Sequence, residues 1–147
     1  MKPVLPIALP LALAFGLSAC AEDTRAREDA PQSTAPAQVN IRDIAASEVA
    51  GLLGSGEGAV VLDVRTAKEF EAGHIDGAVS ADFLSEDFAQ VLAELDRDTT
   101  YILHCKSGSR STKALEVMKE QGFTSVAHLT AGYDGWKAAQ DQSQEAE

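Results

Sequence analysis

The chain has 147 residues, with 12 Lys and Arg against 23 Asp and Glu, for a net charge of −11. This acidity, which no basic run offsets, argues against nucleic acid as a partner, because phosphate backbones repel negative charge. Apolar residues make up 45% of the chain, enough for one packed domain, and two cysteines are too few for a disulfide scaffold or a multi-cysteine metal site.

Residues 1–19 have the order of an export signal, with one Lys, an apolar stretch and then small residues. Three prolines and the shortness of the apolar run make the segment unsuited to crossing a bilayer. Residues 17–20 resemble a bacterial lipobox, which implies a lipoprotein-type signal peptide and a lipid anchor on Cys20. Ordinary cleavage after Ala21 is the alternative. An acylated Cys20 followed by Ala points to the bacterial cell envelope, with the domain held at the outer membrane facing the periplasm.

Residues 20–38 are predicted to be the anchor and a disordered tether. Positions 21–38 contain no aromatic residue and no Leu, Ile, Val or Met, so they have nothing to bury. The composition changes near residue 39, and we expect the folded domain to occupy residues 39–140. Residues 141–147 are polar and are predicted to form a disordered tail.

Strands and helices alternate through the predicted domain. Strands are predicted over residues 39–44, 59–64, 78–82, 99–104 and 126–129. Helices are predicted around Val49, Leu52 and Leu53, over 66–72, over 86–95 with Ser85 as N-cap, over 109–121, and around Tyr133, Trp136 and Ala139. The continuous apolar runs in the second and fourth strands are typical of buried parallel strands. The pattern predicts an α/β fold, with a mainly parallel central sheet and helices on both faces.

One loop concentrates the residues suited to chemistry. Cys105 directly follows a buried strand, and ligands of parallel sheets bind at the carboxyl ends of strands. A Gly and small Ser residues then lead into a helix, an arrangement that can aim backbone N–H groups at an anion. Helix N-termini and neighbouring cations lower the pKa of a thiol, which favours the nucleophilic thiolate. Cys105 is the predicted nucleophile, and the predicted substrate-binding residues are Lys106, Ser107, Gly108, Ser109, Arg110 and Ser111.

Three ordered motifs carry a resemblance to a known family. They are Asp63-Val64-Arg65 with Glu69-Phe70, Gly73-His74-Ile75 and Gly77-Ala78; the Cys-x4-Arg loop from Cys105 to Arg110; and Gly132-Tyr133-Asp134-Gly135-Trp136. Together they resemble the rhodanese-like sulfurtransferases over roughly residues 39–139. The resemblance implies the three-layer rhodanese-like fold.

The resemblance also implies the reaction of a thiosulfate sulfurtransferase. Cys105 would take a sulfane sulfur from thiosulfate or a similar small anionic donor and pass it from a persulfide to cyanide or a thiol. Backbone N–H groups of residues 106–110 would stabilise the outer sulfur, without metal or cofactor. Arg110 would close the loop and bind the oxyanion of the donor, with Lys106 in a secondary role.

Two alternatives remain open. Phosphatases and arsenate reductases of the same fold use Cys-x5-Arg, since phosphate needs a wider ring of amides than one sulfur atom does, and the loop here is one residue shorter. A non-catalytic binding module of the family generally lacks the loop Cys, which this chain retains.

Several polar residues are predicted to be structural. Arg65 and Glu69 are spaced for an ion pair at i and i+4, and His74 is expected to order the turn after the second helix. His104 should point to the opposite side of the sheet from Cys105 because side chains alternate along a strand. The pattern favours packing roles for His128 and Trp136.

Overall fold

The computed structural model describes residues 39–145. The predicted signal peptide, the lipidation site at Cys20 and the tether lie outside the described residues. Within residues 39–145, no helix is both long enough and apolar enough to cross a bilayer.

Strands and helices alternate along the described residues, as the sequence predicts. The order is β1 (Asn40–Ile44), α1 (Ala46–Gly54), β2 (Val60–Asp63), α2 (Ala67–Glu71), β3 (Val79–Ser80), α3 (Phe88–Ala93), β4 (Tyr101–His104), α4 (Ser109–Glu120), β5 (Ser125–Leu129) and α5 (Gly132–Glu145).

The strands form one sheet in the order β1-β5-β4-β2-β3, and every adjacent pair is parallel. The apolar runs of β2, β4 and β5 occupy the middle of the sheet, where both faces are covered. β1 and β3 lie at the edges, and their side chains are mostly exposed. The predicted parallel sheet is confirmed.

Helices cover both faces of the sheet, which also confirms the prediction. Side chains alternate along each central strand, so Leu103 faces one apolar cluster and Ile102 the other. The first cluster includes buried residues of α3 and α4, and the second is packed by α1 and α5. The loop after β4 therefore lies between α4 on one side of the sheet and α5 on the other.

The predicted start of α3 was wrong by two residues. Asp87 is its N-cap and Phe88 its first residue. Ser85 instead caps the turn that precedes the helix, since its Oγ accepts a hydrogen bond from the Asp87 N–H at 3.2 Å. Phe88 and Leu92 are buried, as the predicted apolar stripe requires.

The predicted disordered tail was also wrong in part, because α5 continues through residues 141–145. These residues are exposed and polar. Gln, Asp and Glu need no apolar contact to extend a helix whose earlier turns are already packed, since propagation adds one hydrogen bond for each residue fixed. The predicted end at Gln140 therefore marks the end of packing, not of the helix.

Candidate active site at the Cys105 loop

Cys105 lies at the carboxyl end of β4, in the middle of the sheet, and is 1% exposed. Four residues connect the end of β4 to α4, whose first residue is Ser109. His104, directly before Cys105, faces the other side of the sheet, where its ring stacks near Tyr133 with centroids 6.2 Å apart. The predicted alternation is thus confirmed, and the thiol belongs to the face that carries α4.

The first turn of α5 fixes the orientation of the loop. The N–H of Tyr133 donates to the Cys105 carbonyl at 2.7 Å, and the N–H of Asp134 donates to the Lys106 carbonyl at 3.1 Å. In a trans peptide the C=O and the following N–H point in opposite directions. The amides of Lys106 and Ser107 therefore point away from α5 and remain free of these contacts.

Two glycines make the close approach of loop and neighbouring backbone feasible. Gly108 has φ +95°, and a Cβ there would lie 2.3 Å from the Thr130 carbonyl oxygen. Gly132 has φ +63°, and a Cβ there would lie 2.4 Å from the Lys106 carbonyl oxygen. Both positions require a left-handed backbone and leave no room for a side chain.

Hydrogen-bond donors converge on the Cys105 thiol. The Gly108 N–H lies 3.2 Å from Sγ, and the Ser111 hydroxyl lies 3.5 Å from it. Burial raises the pKa of Cys105, but the Ser111 hydroxyl and backbone N–H groups of Ser111, Ser107 and Arg110 outweigh it, so the pKa is lowered. The loop therefore favours an anionic sulfur at its centre.

Arg110 locks the loop to α2. Its two terminal nitrogens donate to the two carboxylate oxygens of Glu69 at 2.7 and 2.8 Å. This contact, together with hydrogen bonds from Thr66 and against partial burial, lowers the pKa of Glu69 to about 2, and it raises the pKa of Arg110. The loop-closing part of the role predicted for Arg110 is thus visible in the geometry, whereas binding of a donor oxyanion stays a prediction.

The predicted ion pair between Arg65 and Glu69 was wrong. Arg65 instead forms a buried pair with Asp63, at 2.6 Å from Nη2 to Oδ2, and donates to the Gly73 carbonyl at 2.7 Å. Its guanidinium also lies 3.9 Å from the centre of the Tyr133 ring. The short, buried Asp63 at the end of β2 is the nearer partner, which leaves Glu69 free for Arg110.

Sequence reasoning missed the role of Glu69, although a signal was present. Thr66 and Glu69 form a capping box at the start of α2, in which the Thr66 N–H donates to the Glu69 carboxylate at 3.0 Å. The Thr-x-x-Glu spacing is the sequence signature of that motif. It fixes the carboxylate at the helix start, where Arg110 reaches it.

The other predicted loop residues separate into buried and exposed groups. Ser111 is buried against the thiol, whereas Ser107 and Ser109 are exposed. Lys106 is also exposed and pairs with Asp134 through Nζ at 2.5 Å. Among these residues, the structure places Gly108 and Ser111 in direct contact with the sulfur.

His104 and His74 make structural contacts. The Nδ1 of His104 lies 3.1 Å from the Cys105 carbonyl oxygen, so the ring does not approach the thiol through this nitrogen. Burial lowers the pKa of His104, against the attraction of Asp63. His74 stacks on Phe70 at 3.9 Å and its Nδ1 lies 3.0 Å from the Phe70 carbonyl oxygen, as its predicted ordering role requires.

A cavity of about 230 Å³ adjoins the loop. It is lined by Arg65, Glu69, Ala72, Gly73, Lys106, Tyr133, Asp134 and Lys137. Cationic and anionic side chains both line it, and four of them, Arg65, Glu69, Lys106 and Asp134, belong to the ion pairs described above. The cavity offers charged groups to a small polar molecule next to the Cys105 loop.

Comparisons with known proteins agree with this geometry. A family model described as "Rhodanese-like domain" matches residues 45–139. The probable adenylyltransferase/sulfurtransferase MoeZ of Mycobacterium tuberculosis is 37% identical over 89 residues, which are 60% of this chain but only 23% of that protein. The thiosulfate sulfurtransferase GlpE of Shewanella oneidensis is 33% identical over 79 residues, covering 54% of this chain and 76% of that protein.

A solved structure supports the same assignment. The solution structure of the rhodanese-like domain of the Alr3790 protein from Anabaena sp. superimposes with a TM-score of 0.59 at 25% identity, over 66% of this chain and 74% of that chain. The relatives, the family match and the parallel sheet with its Cys105 loop lead to one conclusion. The chain belongs to the rhodanese-like domain family.

Proposed function

We propose that the protein is a sulfurtransferase that moves a sulfane sulfur from thiosulfate, or a similar anionic donor, to cyanide or a thiol through a persulfide on Cys105. The observation that carries the proposal is the buried Sγ of Cys105 with the Gly108 N–H and the Ser111 hydroxyl directed at it. The name of GlpE, a thiosulfate sulfurtransferase, supports this choice of donor.

The proposed reaction has two displacements. In the first, the Cys105 thiolate attacks the outer sulfur of thiosulfate, a new S–S bond forms on the enzyme, and the old S–S bond breaks with its electron pair leaving on sulfite. In the second, cyanide attacks the outer sulfur of the persulfide, and the electron pair of the enzymic S–S bond returns to Cys105 as the thiolate. Charge and sulfur balance in both steps, and no oxidant is needed.

The chain supplies electrostatic stabilisation at both steps. Cys105 accepts the transferred sulfur, and the persulfide bears its negative charge on the outer atom. Amides of Lys106 and Ser107 that are turned away from α5 are available to this charge, and such preorganised donors act strongly where water is excluded. Arg110, held by Glu69, keeps the loop closed around the sulfur.

A thiocyanate assay on the full chain tests the proposal. We expect thiocyanate from thiosulfate and cyanide with the wild type, none above background with Cys105→Ser, and wild-type rates with the matched control Cys20→Ser. Thiocyanate formation that survives Cys105→Ser would contradict the proposal. A wild type that forms no thiocyanate but hydrolyses an aryl phosphate would favour the phosphatase alternative.

We also propose that the domain acts in the bacterial cell envelope, anchored through an acylated Cys20. The support is the lipobox resemblance of residues 17–20 and the tether that follows it, which contains no aromatic residue and no Leu, Ile, Val or Met. In a bacterial host, we expect Cys20 to incorporate a labelled fatty acid and the protein to sediment with membranes, and Cys20→Ala to lose both properties. Recovery of the protein from the cytoplasm with residues 1–19 intact would contradict this proposal.

A further inference from the structure

His128 is a buried titratable side chain that the proposed reaction does not use. It lies on β5, is 4% exposed, and is paired in the sheet register with Asp43 of the edge strand β1. Its Nδ1 lies 3.0 Å from Oδ1 of Asp43, and its Nε2 lies 2.9 Å from Oγ of Ser111. Since Ser111 Oγ lies 3.5 Å from Cys105 Sγ, a continuous chain of contacts connects an exposed carboxylate to the nucleophile.

The positions of the protons determine which way each hydrogen bond in this series points. The carboxylate of Asp43 can only accept, so Nδ1 of His128 carries a proton and donates to it. Ser111 has one hydroxyl proton, but the Gly108 carbonyl oxygen at 2.9 Å, the Cys105 sulfur and an unprotonated Nε2 would all compete to accept it. A bare Nε2 therefore draws the hydroxyl proton away from the sulfur.

A proton on Nε2 removes this competition. The imidazolium then donates to Ser111 from Nε2 and to Asp43 from Nδ1, and the carboxylate offsets its charge. The Ser111 hydroxyl is left with the Gly108 carbonyl and the Cys105 sulfur as acceptors. A thiolate is the stronger of these two because a hydrogen bond to a charged acceptor is roughly twice as strong as a neutral one.

We propose that Asp43 and His128 are positioning residues that orient the Ser111 hydroxyl toward Cys105 Sγ and so stabilise its anionic form. The consequence for sulfur transfer rests on the proposed function, but the effect on the thiolate does not. Asp43 acts at a distance from the sulfur, through His128 and Ser111.

The charged or titratable side chains of Arg110 and His104 also lie near Cys105, but they make other contacts. Arg110 of α4 lies close enough to attract the Cys105 anion, but its terminal nitrogens are bound to Glu69 of α2. His104 of β4 contacts the Cys105 carbonyl oxygen and not the sulfur. Asp43 is the carboxylate in hydrogen-bond contact with His128.

The exposure of Asp43 makes the proposal testable without disturbing the core. Its side chain is 73% exposed, so Asp43→Ala removes the carboxylate at little packing cost. Asp43→Asn keeps an acceptor for Nδ1–H but loses the charge. Glu57→Gln is the matched control, since it removes one exposed carboxylate from a loop before β2.

The readout is the rate at which iodoacetamide alkylates Cys105 as a function of pH, measured on the full chain by mass spectrometry of the Cys105 peptide. We expect Asp43→Ala and His128→Gln to slow alkylation at neutral pH by about tenfold and to shift its midpoint upward by about one pH unit. Asp43→Asn should fall between Asp43→Ala and the wild type, and Glu57→Gln should match the wild type. In the double variant, the slowing of alkylation by Asp43→Ala should not add to the slowing by Ser111→Ala, because both substitutions break the same series of hydrogen bonds.

Wild-type alkylation profiles in Asp43→Ala would overturn the proposal, as would a loss that adds fully to that of Ser111→Ala. The alkylation profile of Asp43→Ala tests the proposal even when His128→Gln fails to fold, because Asp43 is exposed. The alkylation assay needs no sulfur donor, so a protein that shows the alkylation shift but forms no thiocyanate would refute sulfur transfer from thiosulfate to cyanide and leave the positioning role standing.

Discussion

The thiol of Cys105 shows how hydrogen bonds can outweigh the effect of burial on a pKa. Burial alone would raise its pKa and favour the inert thiol. Hydrogen-bond donors reverse this preference, and they can do so because Gly108 turns its N–H toward the sulfur while Ser111 faces it from the first turn of α4. The lowered pKa of Cys105 therefore depends on the backbone path of the loop.

The path of the loop depends on the missing side chain at Gly108. In Gly108→Ala, a Cβ would lie 2.3 Å from the Thr130 carbonyl oxygen. We expect a loss of stability greater than the ~1–2 kcal/mol cost of left-handed backbone alone, together with loss of thiocyanate formation. Urea unfolding and the thiocyanate assay measure the two effects.

Gly77→Ala is the matched control for this prediction. Gly77 also has a positive φ, +76°, but nothing lies within 4 Å of a Cβ built there. In Gly77→Ala, the free energy of unfolding should fall only by the backbone cost of about 1–2 kcal/mol. Thiocyanate formation should stay at the wild-type rate. Equal losses of stability in the two variants would show that the contact with Thr130 is not the cause.

At the scale of elements, the ion pair between Glu69 of α2 and Arg110 of α4 joins the two helices. α2 is a five-residue helix, too short to be stable in isolation. Its capping box fixes Glu69, and the bidentate contact with Arg110 then ties this short helix to the first turn of α4. The pair connects the start of α4 to α2 and so restrains the loop between β4 and α4.

The Glu69 pair predicts a specific pH dependence of stability. Its pKa falls from 4.5 to about 2 on folding, so the pair stabilises the folded state above about pH 4.5 and this contribution is lost as the pH falls toward 2. We expect Glu69→Gln to lower the melting temperature at neutral pH. Between about pH 4.5 and pH 2, its melting temperature should decline less steeply than that of the wild type. Thermal unfolding across this pH range checks it.

Glu116→Gln is the control for acid sensitivity. Glu116 pairs with Lys119 on the exposed face of α4, where such pairs contribute little. Its acid profile should follow that of the wild type. An unchanged profile in Glu69→Gln would show that the contact with Arg110 does not stabilise the fold.

Local patterns predicted these elements well, but not their partners. Apolar runs and helical spacing identified the strands, the helices and both covered faces of the sheet, because those patterns reflect burial directly. The partner of Glu69 lies 41 positions away, at Arg110, and that of His128 lies 85 positions away, at Asp43. Such contacts depend on sheet order and register, which periodicity along the chain does not encode.

At the scale of the whole molecule, a protein with a net negative charge is predicted to bind and react with an anionic sulfur donor. The net charge of −11 repels thiosulfate, and the cations of Lys106 and Arg110 are each paired with a carboxylate. These pairs reduce the attraction that two basic side chains would otherwise exert on an anion, so we expect recognition of the donor to depend on short-range hydrogen bonds from the backbone. Long-range charge should slow the approach of the donor.

This balance predicts the effect of salt. Raising the ionic strength from about 0.01 M to about 0.15 M shortens the screening length from about 30 Å to about 8 Å. We expect kcat/KM for thiosulfate to rise over this range as the repulsion is screened. A fall in kcat/KM with added salt would show that local cations attract the donor.

The most direct test of sulfur transfer is the mass of the intact protein after treatment with thiosulfate alone. We predict that the wild type gains the mass of one sulfur atom, located on the Cys105 peptide, and that cyanide removes it. Cys105→Ser should gain nothing. No added sulfur on the wild type, or an equal gain in Cys105→Ser, would contradict a persulfide on Cys105.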